Sequence, residues 1–190
     1  MQPATATPEE MVGAAIAAVR GGEPTIGALL DALPAPIYTT DGKGRVTFFN
    51  RACIDFAGRT PVAGEDRWCV TWKLYTEDGE FLPHDQCPMA VAIREKRAVR
   101  GAQAIAERPD GSRVTFVPYP TPLLDEQGEV IGAVNLLLDV TQKKQADYLR
   151  GQALRCRRLA ASVNDARTVN TLTAMAAEYE EQGRALHLVN

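Results

Sequence analysis

The sequence predicts an α+β protein with a five-stranded antiparallel sheet that short helices cover. A run of strand-forming residues at 37–40 returns at 46–49 after a turn that holds two glycines, which is the pattern of a β-hairpin. Three further strand segments, 99–108, 113–124 and 130–140, follow one another with only turn residues between them. Strands that follow one another so closely favour an antiparallel meander, so both groups indicate one sheet.

Helical patterns flank this central region on both sides. Thr7 and Pro8 form a helix start, and apolar residues at helical spacing continue to Gly21-Gly22. From residue 142 onward the pattern is helical throughout. We therefore divide the chain into an N-terminal helical segment (1–24), a central domain (25–141) and a C-terminal helical tail (142–190).

Shorter helices are predicted inside the central domain. Asn50 can accept a backbone hydrogen bond through its side chain, and so begin a helix that ends at Gly58. Another helix begins at Cys87-Pro88 and ends near Arg97. The segment 59–86, which holds both tryptophans, is predicted to form short helices and loops.

Composition and charge disfavour several classes of protein. With 45% hydrophobic and 24% charged residues the chain is typical of a globular protein, and 21 basic against 24 acidic residues create no basic field for nucleic acid. No apolar run approaches the roughly 20 residues that a membrane span needs, and the first residues lack the apolar core of a signal peptide. We expect a cytoplasmic protein with four free thiols: Cys53, Cys69, Cys87 and Cys156.

The tail carries a heptad stripe, whose members alternate spacings of three and four: Leu149, Ala153, Cys156, Ala160 and Val163. Asn164 or Asp165 interrupts it and can cap a second helix. Because neither helix can bury its apolar stripe alone, three arrangements stay open: a hairpin within the chain, packing on the sheet, and pairing in a homodimer. A DNA-binding helix-turn-helix is disfavoured by the acidic Glu178, Glu180 and Glu181.

Several segments between Thr25 and Thr141 resemble the PAS family, in the form of a bacterial single-PAS sensory protein with a helical tail. They follow one another in the family's order. These segments are Leu29-Leu30-Asp31-Ala32-Leu33-Pro34, Ile37 to Asn50, Glu107-Arg108-Pro109-Asp110-Gly111-Ser112, Pro122 to Ala133, and the closing Asp139-Val140-Thr141.

The resemblance implies a curved sheet with helices folded over one face, and often a small-molecule pocket between them. The candidate pocket walls are large apolar and aromatic side chains: Tyr38, Phe48, Phe56, Trp72, Met89, Ile93, Phe116 and Leu136. Such walls favour an apolar or aromatic ligand, and packing in a filled core is the alternative role for each. The resemblance also implies a signal junction, Asp139-Val140-Thr141, between the last strand and the tail.

The residues identify no cofactor. Flavin photosensors of this family carry a reactive cysteine in Gly-Arg-Asn-Cys-Arg-Phe-Leu-Gln, whereas Cys69 lies in Asp-Arg-Trp-Cys-Val-Thr. Haem-binding members place an axial histidine on the long helix before the meander, whereas His84 precedes the helix that begins at Cys87. A zinc site built from Cys69, His84 and Cys87 would lack a Cys-x-x-Cys pair and a fourth ligand, so we predict no metal site.

The motifs of catalysis are missing from the sequence, which holds neither a Gly-x-Ser-x-Gly elbow nor a phosphate loop. We therefore expect no enzyme, but a sensory module that responds to a small ligand or a protein partner and signals through its tail helices. One alternative is a ligand-free dimerisation adaptor. Another is a degenerate histidine-kinase-like protein, against which the lack of a phospho-accepting histidine in the tail argues.

Overall fold

The computed structural model describes residues 7–21, 26–31, 33 and 35–187, so the other residues of the predicted segments, including Gly22, Ala32 and Pro34, lie outside it. The chain divides into two units, of which the first ends at Asp139 and the second begins at Val140. None of the described helices is both long and apolar enough to cross a membrane. The elements are α1 (Pro8–Gly21), α2 (Ile26–Asp31), β1 (Ile37–Asp41), β2 (Val46–Phe49), α3 (Arg51–Ala57), β3 (Lys73–Tyr75), a 3-10 turn (His84–Gln86), α4 (Pro88–Glu95), β4 (Ala104–Glu107), β5 (Arg113–Pro118), β6 (Thr121–Leu124), β7 (Val130–Asp139), α5 (Thr141–Ser162) and α6 (Ala166–His187).

The first unit is built on one antiparallel sheet with the strand order β2-β1-β7-β5-β4-β3, and β6 also pairs with β7. The first and last strands are neighbours, with Ile37 opposite Leu136 and Tyr38 opposite Asn135. This architecture confirms the predicted α+β class with its antiparallel sheet, N-terminal helix and C-terminal helices.

The described part of the sheet has seven strands where the sequence predicted five. The segment 113–124 forms two strands because Pro118 and Pro120 flank a break, and a proline donates no hydrogen bond to a strand ladder. β3 is the other addition, and it lies in the segment 59–86, where no strand was predicted. β4 is also shorter than the predicted strand 99–108.

Two clusters of buried side chains lie on opposite faces of the sheet, because successive strand residues point to opposite sides. The inner cluster joins the sheet to α3 and α4, and it includes Tyr38 of β1 and Leu137 of β7. The outer cluster joins the sheet to α1 and α2, and it includes Ile37 of β1 and Leu136 of β7. Both faces of β1 and β7 are therefore buried.

Asn50 connects three elements from a completely buried position. Its Oδ1 accepts hydrogen bonds from the backbone amides of Ile37 (3.0 Å) and Cys53 (3.3 Å). Its Nδ2 donates to the carbonyls of Leu30 (3.0 Å) and Ala35 (2.9 Å). The side chain thus caps α3, as predicted, and also holds the end of α2 and the start of β1 in place.

The second unit is a helical hairpin, one of the three arrangements that the sequence left open. α5 and α6 pack along each other, and residues 163–165 connect them. Asp165 Oδ2 accepts a hydrogen bond from the backbone amide of Thr168 (2.8 Å), so Asp165 caps α6.

Replacing Asn50 with alanine should lower the free energy of unfolding of the first unit by about 4 kcal/mol, because it leaves buried backbone groups without partners. Urea unfolding followed by tryptophan fluorescence measures this unit, since Trp68 and Trp72 both lie in it. The control is Thr7→Ala, which removes the exposed cap of α1 at a cost of about 1 kcal/mol. A loss for Asn50→Ala no larger than that of the control would contradict the connecting role.

Candidate functional site

Five of the eight candidate pocket residues meet in the inner cluster: Tyr38, Phe56, Met89, Ile93 and Phe116. They come from β1, α3, α4 and β5, so the sheet and the covering helices both contribute. None of the five is more than 8% exposed, and the rings of Phe56 and Phe116 meet edge to face with centroids 5.2 Å apart. Ligand binding by these residues stays a prediction.

The structure corrects the placement of the other three candidates. Phe48 and Leu136 belong to the outer cluster with α1, because their positions on the strands turn them to the face opposite Tyr38. Trp72 is 43% exposed, and Lys73 Nζ lies 3.9 Å from the centroid of its ring in a surface cation–π contact. These three side chains therefore do not belong to the inner cluster.

A hydrogen-bonded polar group lies in this otherwise apolar interior. Tyr38 Oη donates to the carbonyl of Trp68 (2.8 Å) and accepts a hydrogen bond from Asn135 Nδ2 (3.0 Å). Asn135 Oδ1 accepts one from the backbone amide of Tyr119 (3.0 Å). Burial raises the pKa of Tyr38 well above its ordinary value, so the phenol stays a donor. In the sequence, the residue that indicates this buried hydrogen-bonded group is Asn135, which interrupts the apolar run 130–138.

Three of the four cysteines lie in the same interior, although they are far apart in the sequence: Cys53, Cys69 and Cys87. Cys53 Sγ donates to the carbonyl of Ile37 (3.2 Å), and Cys87 Sγ lies 3.9 Å from the carbonyl oxygen of Trp68. Burial raises the pKa of Cys53 and that of Cys87 to about 12. These two thiols are therefore protonated at neutral pH, and a protonated buried thiol is a poor nucleophile.

Thr71 connects the thiol of Cys69 with His84. Its Oγ1 donates to Cys69 Sγ (3.2 Å) and lies 3.3 Å from His84 Nε2. Burial, and then the positive charge of Arg59, lowers the pKa of His84, so the imidazole is neutral at pH 7.

In the part of the chain that the structure describes, no three His, Cys, Asp or Glu side chains are arranged to hold a metal ion.

Trp68 has an unusual backbone conformation next to this polar group. Its φ of 68° lies in the left-handed region, which disfavours residues with a side chain. Its ring packs so closely on Gly44 that a Cβ atom there would lie 2.1 Å from a ring carbon. Packing on a glycine therefore holds Trp68 where its carbonyl meets Tyr38 and Cys87.

At the predicted signal junction, β7 ends at Asp139 and α5 begins at Thr141, with Val140 in the cap position. A surface groove of about 300 Å³ in the first unit reaches this strand end, and it is lined by Pro36, Ala52, Asp55, Phe56, Arg108 and Asp139. Arg108 donates to the carbonyl of Phe56 (2.9 Å) near the C-terminal end of α3. The groove thus joins α3 to the last residue of the sheet.

The heptad stripe of the tail is used within the chain. Leu149, Ala153 and Cys156 are buried, whereas Ala160 and Val163 are half-buried. Ala153 and Cys156 form a cluster with Ala176 and Tyr179 of α6. Pairing between two chains stays a prediction.

The stability of the first unit should fall as the pH rises above about 9, because unfolded thiols ionise there while Cys53 and Cys87 keep their protons up to about 12 in the fold. The folded state then binds more protons than the unfolded state, which lowers the free energy of unfolding. Cys87→Ser removes one of these two thiols. The free energy of unfolding of this variant should therefore fall less steeply with pH than that of the unchanged protein, and the two slopes should differ by about 1.4 kcal/mol per pH unit. Urea unfolding across this alkaline range measures both slopes, with Cys156→Ser in the second unit as the control. Equal slopes for Cys87→Ser and the control would refute the assignment.

Gly44→Ala should destabilise the first unit by roughly 3 kcal/mol. The left-handed φ strains a residue with a side chain by about 1–2 kcal/mol, and the new Cβ atom must also displace the Trp68 ring. Gly128→Ala is the matched control: its φ of 81° is similar to the 78° of Gly44, but a Cβ atom there meets nothing within 4 Å. Fluorescence-detected urea unfolding compares the two variants. Equal losses would show that the contact with Trp68 contributes nothing.

A family model described as the PAS fold matches residues 30–145. Similar solved structures include an RNA-binding Light-Oxygen-Voltage receptor, at 19% identity over 74% of this chain and 37% of that chain, with a TM-score of 0.46. This chain thus spans little more than a third of that receptor.

Two other similar structures are single PAS domains. The PAS domain of the fruit-fly ELK potassium channel is 13% identical over 62% of this chain and 95% of its own, with a TM-score of 0.46. A PAS domain from Colwellia psychrerythraea is 15% identical over 67% of this chain and 98% of its own, with a TM-score of 0.42. No curated protein sequence matches the chain. Since the family model matches more than half of its residues, the chain belongs to the PAS fold family.

Proposed function

We propose that this protein is a sensory module whose inner cluster receives a small ligand or the effect of a protein partner. The change passes along β7 to the junction Asp139-Val140-Thr141 and then to the tail helices. The module has no catalytic activity of its own, works in the cytoplasm and acts as a homodimer.

The hydrogen bond between Tyr38 and Asn135 is the observation that carries this proposal. Tyr38 belongs to the inner cluster, and Asn135, buried and directly opposite it in the strand pairing, belongs to the strand that ends at Asp139. A ligand that took over the hydroxyl of Tyr38 would leave Asn135 without this partner. A buried polar group without a partner costs about 1–3 kcal/mol, which changes an equilibrium between two strand arrangements by roughly 5- to 150-fold.

Thr40 supports a ligand with a polar end. It lies two residues along β1 from Tyr38 and therefore on the same face of the sheet. Its Oγ1 is buried, and no hydrogen-bond partner for it lies within the described residues. A ligand with one polar group and an apolar or aromatic body would match this oxygen, the Tyr38 hydroxyl and the surrounding rings.

A ligand-free dimerisation adaptor is the second candidate, and the close packing of the inner cluster favours it. Tyr38, Met89 and Phe116 are each at most 2% exposed, as in a filled core. In this case the interior only stabilises the fold, and the helices hold two chains together.

Native mass spectrometry of the purified protein, beside the same sample after denaturation, tests both candidates. The sensory proposal expects a dimer with an additional small molecule that denaturation releases. Tyr38→Phe should weaken ligand binding about tenfold and leave the dimer intact, because it removes only a hydrogen-bonding hydroxyl. The control is Tyr75→Phe, since Tyr75 lies on β3 outside the inner cluster. A dimer without additional mass would favour the adaptor, and a monomer would refute signalling by helix pairing between chains.

A further inference from the structure

We propose that the helical hairpin of α5 and α6 binds a small anion, a phosphate or carboxylate group, between Arg150 and Arg184. The site is a cleft of about 140 Å³ between the two helices, and it is lined by Ala146, Arg150, Tyr179, Glu180, Gly183 and Arg184. It lies wholly in the second unit, so it goes beyond the proposed function of the inner cluster and does not depend on it.

Two small residues create the cleft. Ala146 of α5 and Gly183 of α6 line it, and a Cβ atom built on Gly183 would lie 3.7 Å from the carbonyl oxygen of Ala146 and 3.7 Å from Leu149 Cβ. These are ordinary contact distances, so alanine would fit at this position. A glycine inside a helix costs about 1 kcal/mol relative to alanine, and helix packing does not explain it here. The glycine therefore preserves open volume between the helices.

The charges around the cleft leave an excess of positive charge. Glu180, the acidic residue of the lining, is paired with Arg157, whose Nε and Nη2 donate to its two carboxylate oxygens at 2.9 Å each. The ion pairs of the described residues include neither Arg150 nor Arg184, and Asp147, one turn before Arg150 on α5, does not pair with it. Two guanidinium groups therefore border the cleft, and the carboxylate in its lining, that of Glu180, is already bound by Arg157.

The donors match the chemistry of an oxyanion. A guanidinium presents its N–H groups as a planar fork that fits the oxygens of a carboxylate or a phosphate. The volume suits one such group. Because Arg150 belongs to α5 and Arg184 to α6, a bound anion contacts both helices and stabilises their pairing.

Titration of the full-length protein with inorganic phosphate, and separately with succinate, tests this site. The chemical shift of the Gly183 amide is followed by NMR at constant ionic strength, so that general screening by salt does not change. At least one of the two anions should give a saturable shift at Gly183. Saturation by phosphate alone identifies a phosphoryl ligand, by succinate alone a carboxylate ligand, and by both a general oxyanion site.

Arg150→Gln and Arg184→Gln should each weaken this binding about tenfold or more, since each removes charge-assisted hydrogen bonds. The matched control is Arg158→Gln, which removes the same charge from an exposed position of α5 outside the cleft. The proposal is overturned if neither anion gives a saturable shift at Gly183. It is also overturned if Arg158→Gln weakens binding as much as Arg150→Gln does.

Discussion

The fold of the first unit depends on the side chain of Asn50. This amide uses both of its donor hydrogens and its acceptor oxygen in a site without water access, and its four backbone partners belong to α2, the segment before β1, β1 itself and α3. An apolar residue of the same size would remove all four of these hydrogen bonds, and the amide of Cys53 and the carbonyl of Leu30 would keep only their backbone partners. The position of β1 is thereby fixed before any side chain of the interior is considered, and Tyr38, one residue beyond Ile37, is directed at Trp68 and Asn135.

The interior combines an apolar wall with a small number of polar atoms whose partners are mostly within the protein. The rings of Phe56 and Phe116 enclose one part, and the hydroxyl of Tyr38 is shared between a backbone carbonyl and an amide in another. Such a network is rigid while every member is paired, and the loss of one partner affects all of them. The strained backbone of Trp68 belongs to the same network, because its carbonyl is the common acceptor.

Local features of the fold could be predicted from the sequence, whereas the faces of its strands could not. The helix start at Thr7, the cap at Asn50 and the hairpin turn depend on residues a few positions apart, and each of them is present. In β7, however, both faces are buried, because α1 covers the side opposite the inner cluster. The run 130–138 is apolar almost throughout, so alternation cannot show that Asn135 points inward and Leu136 outward. The convergence of Cys53, Cys69 and Cys87 was hidden for a related reason, since only long-range strand pairing brings them together.

The pairing of the first strand with the last has a consequence for how the chain is assembled during synthesis. Tyr38 and Asn135 are separated by 97 positions, so β1 has no neighbour on one side until nearly all of the first unit has left the ribosome. Until then, the hairpin of β1 and β2 has an open edge that can pair with another chain. Insertion of β7 closes that edge and completes both buried layers in one step. The strand proposed to carry the signal is therefore also the strand that closes this edge of the nascent protein.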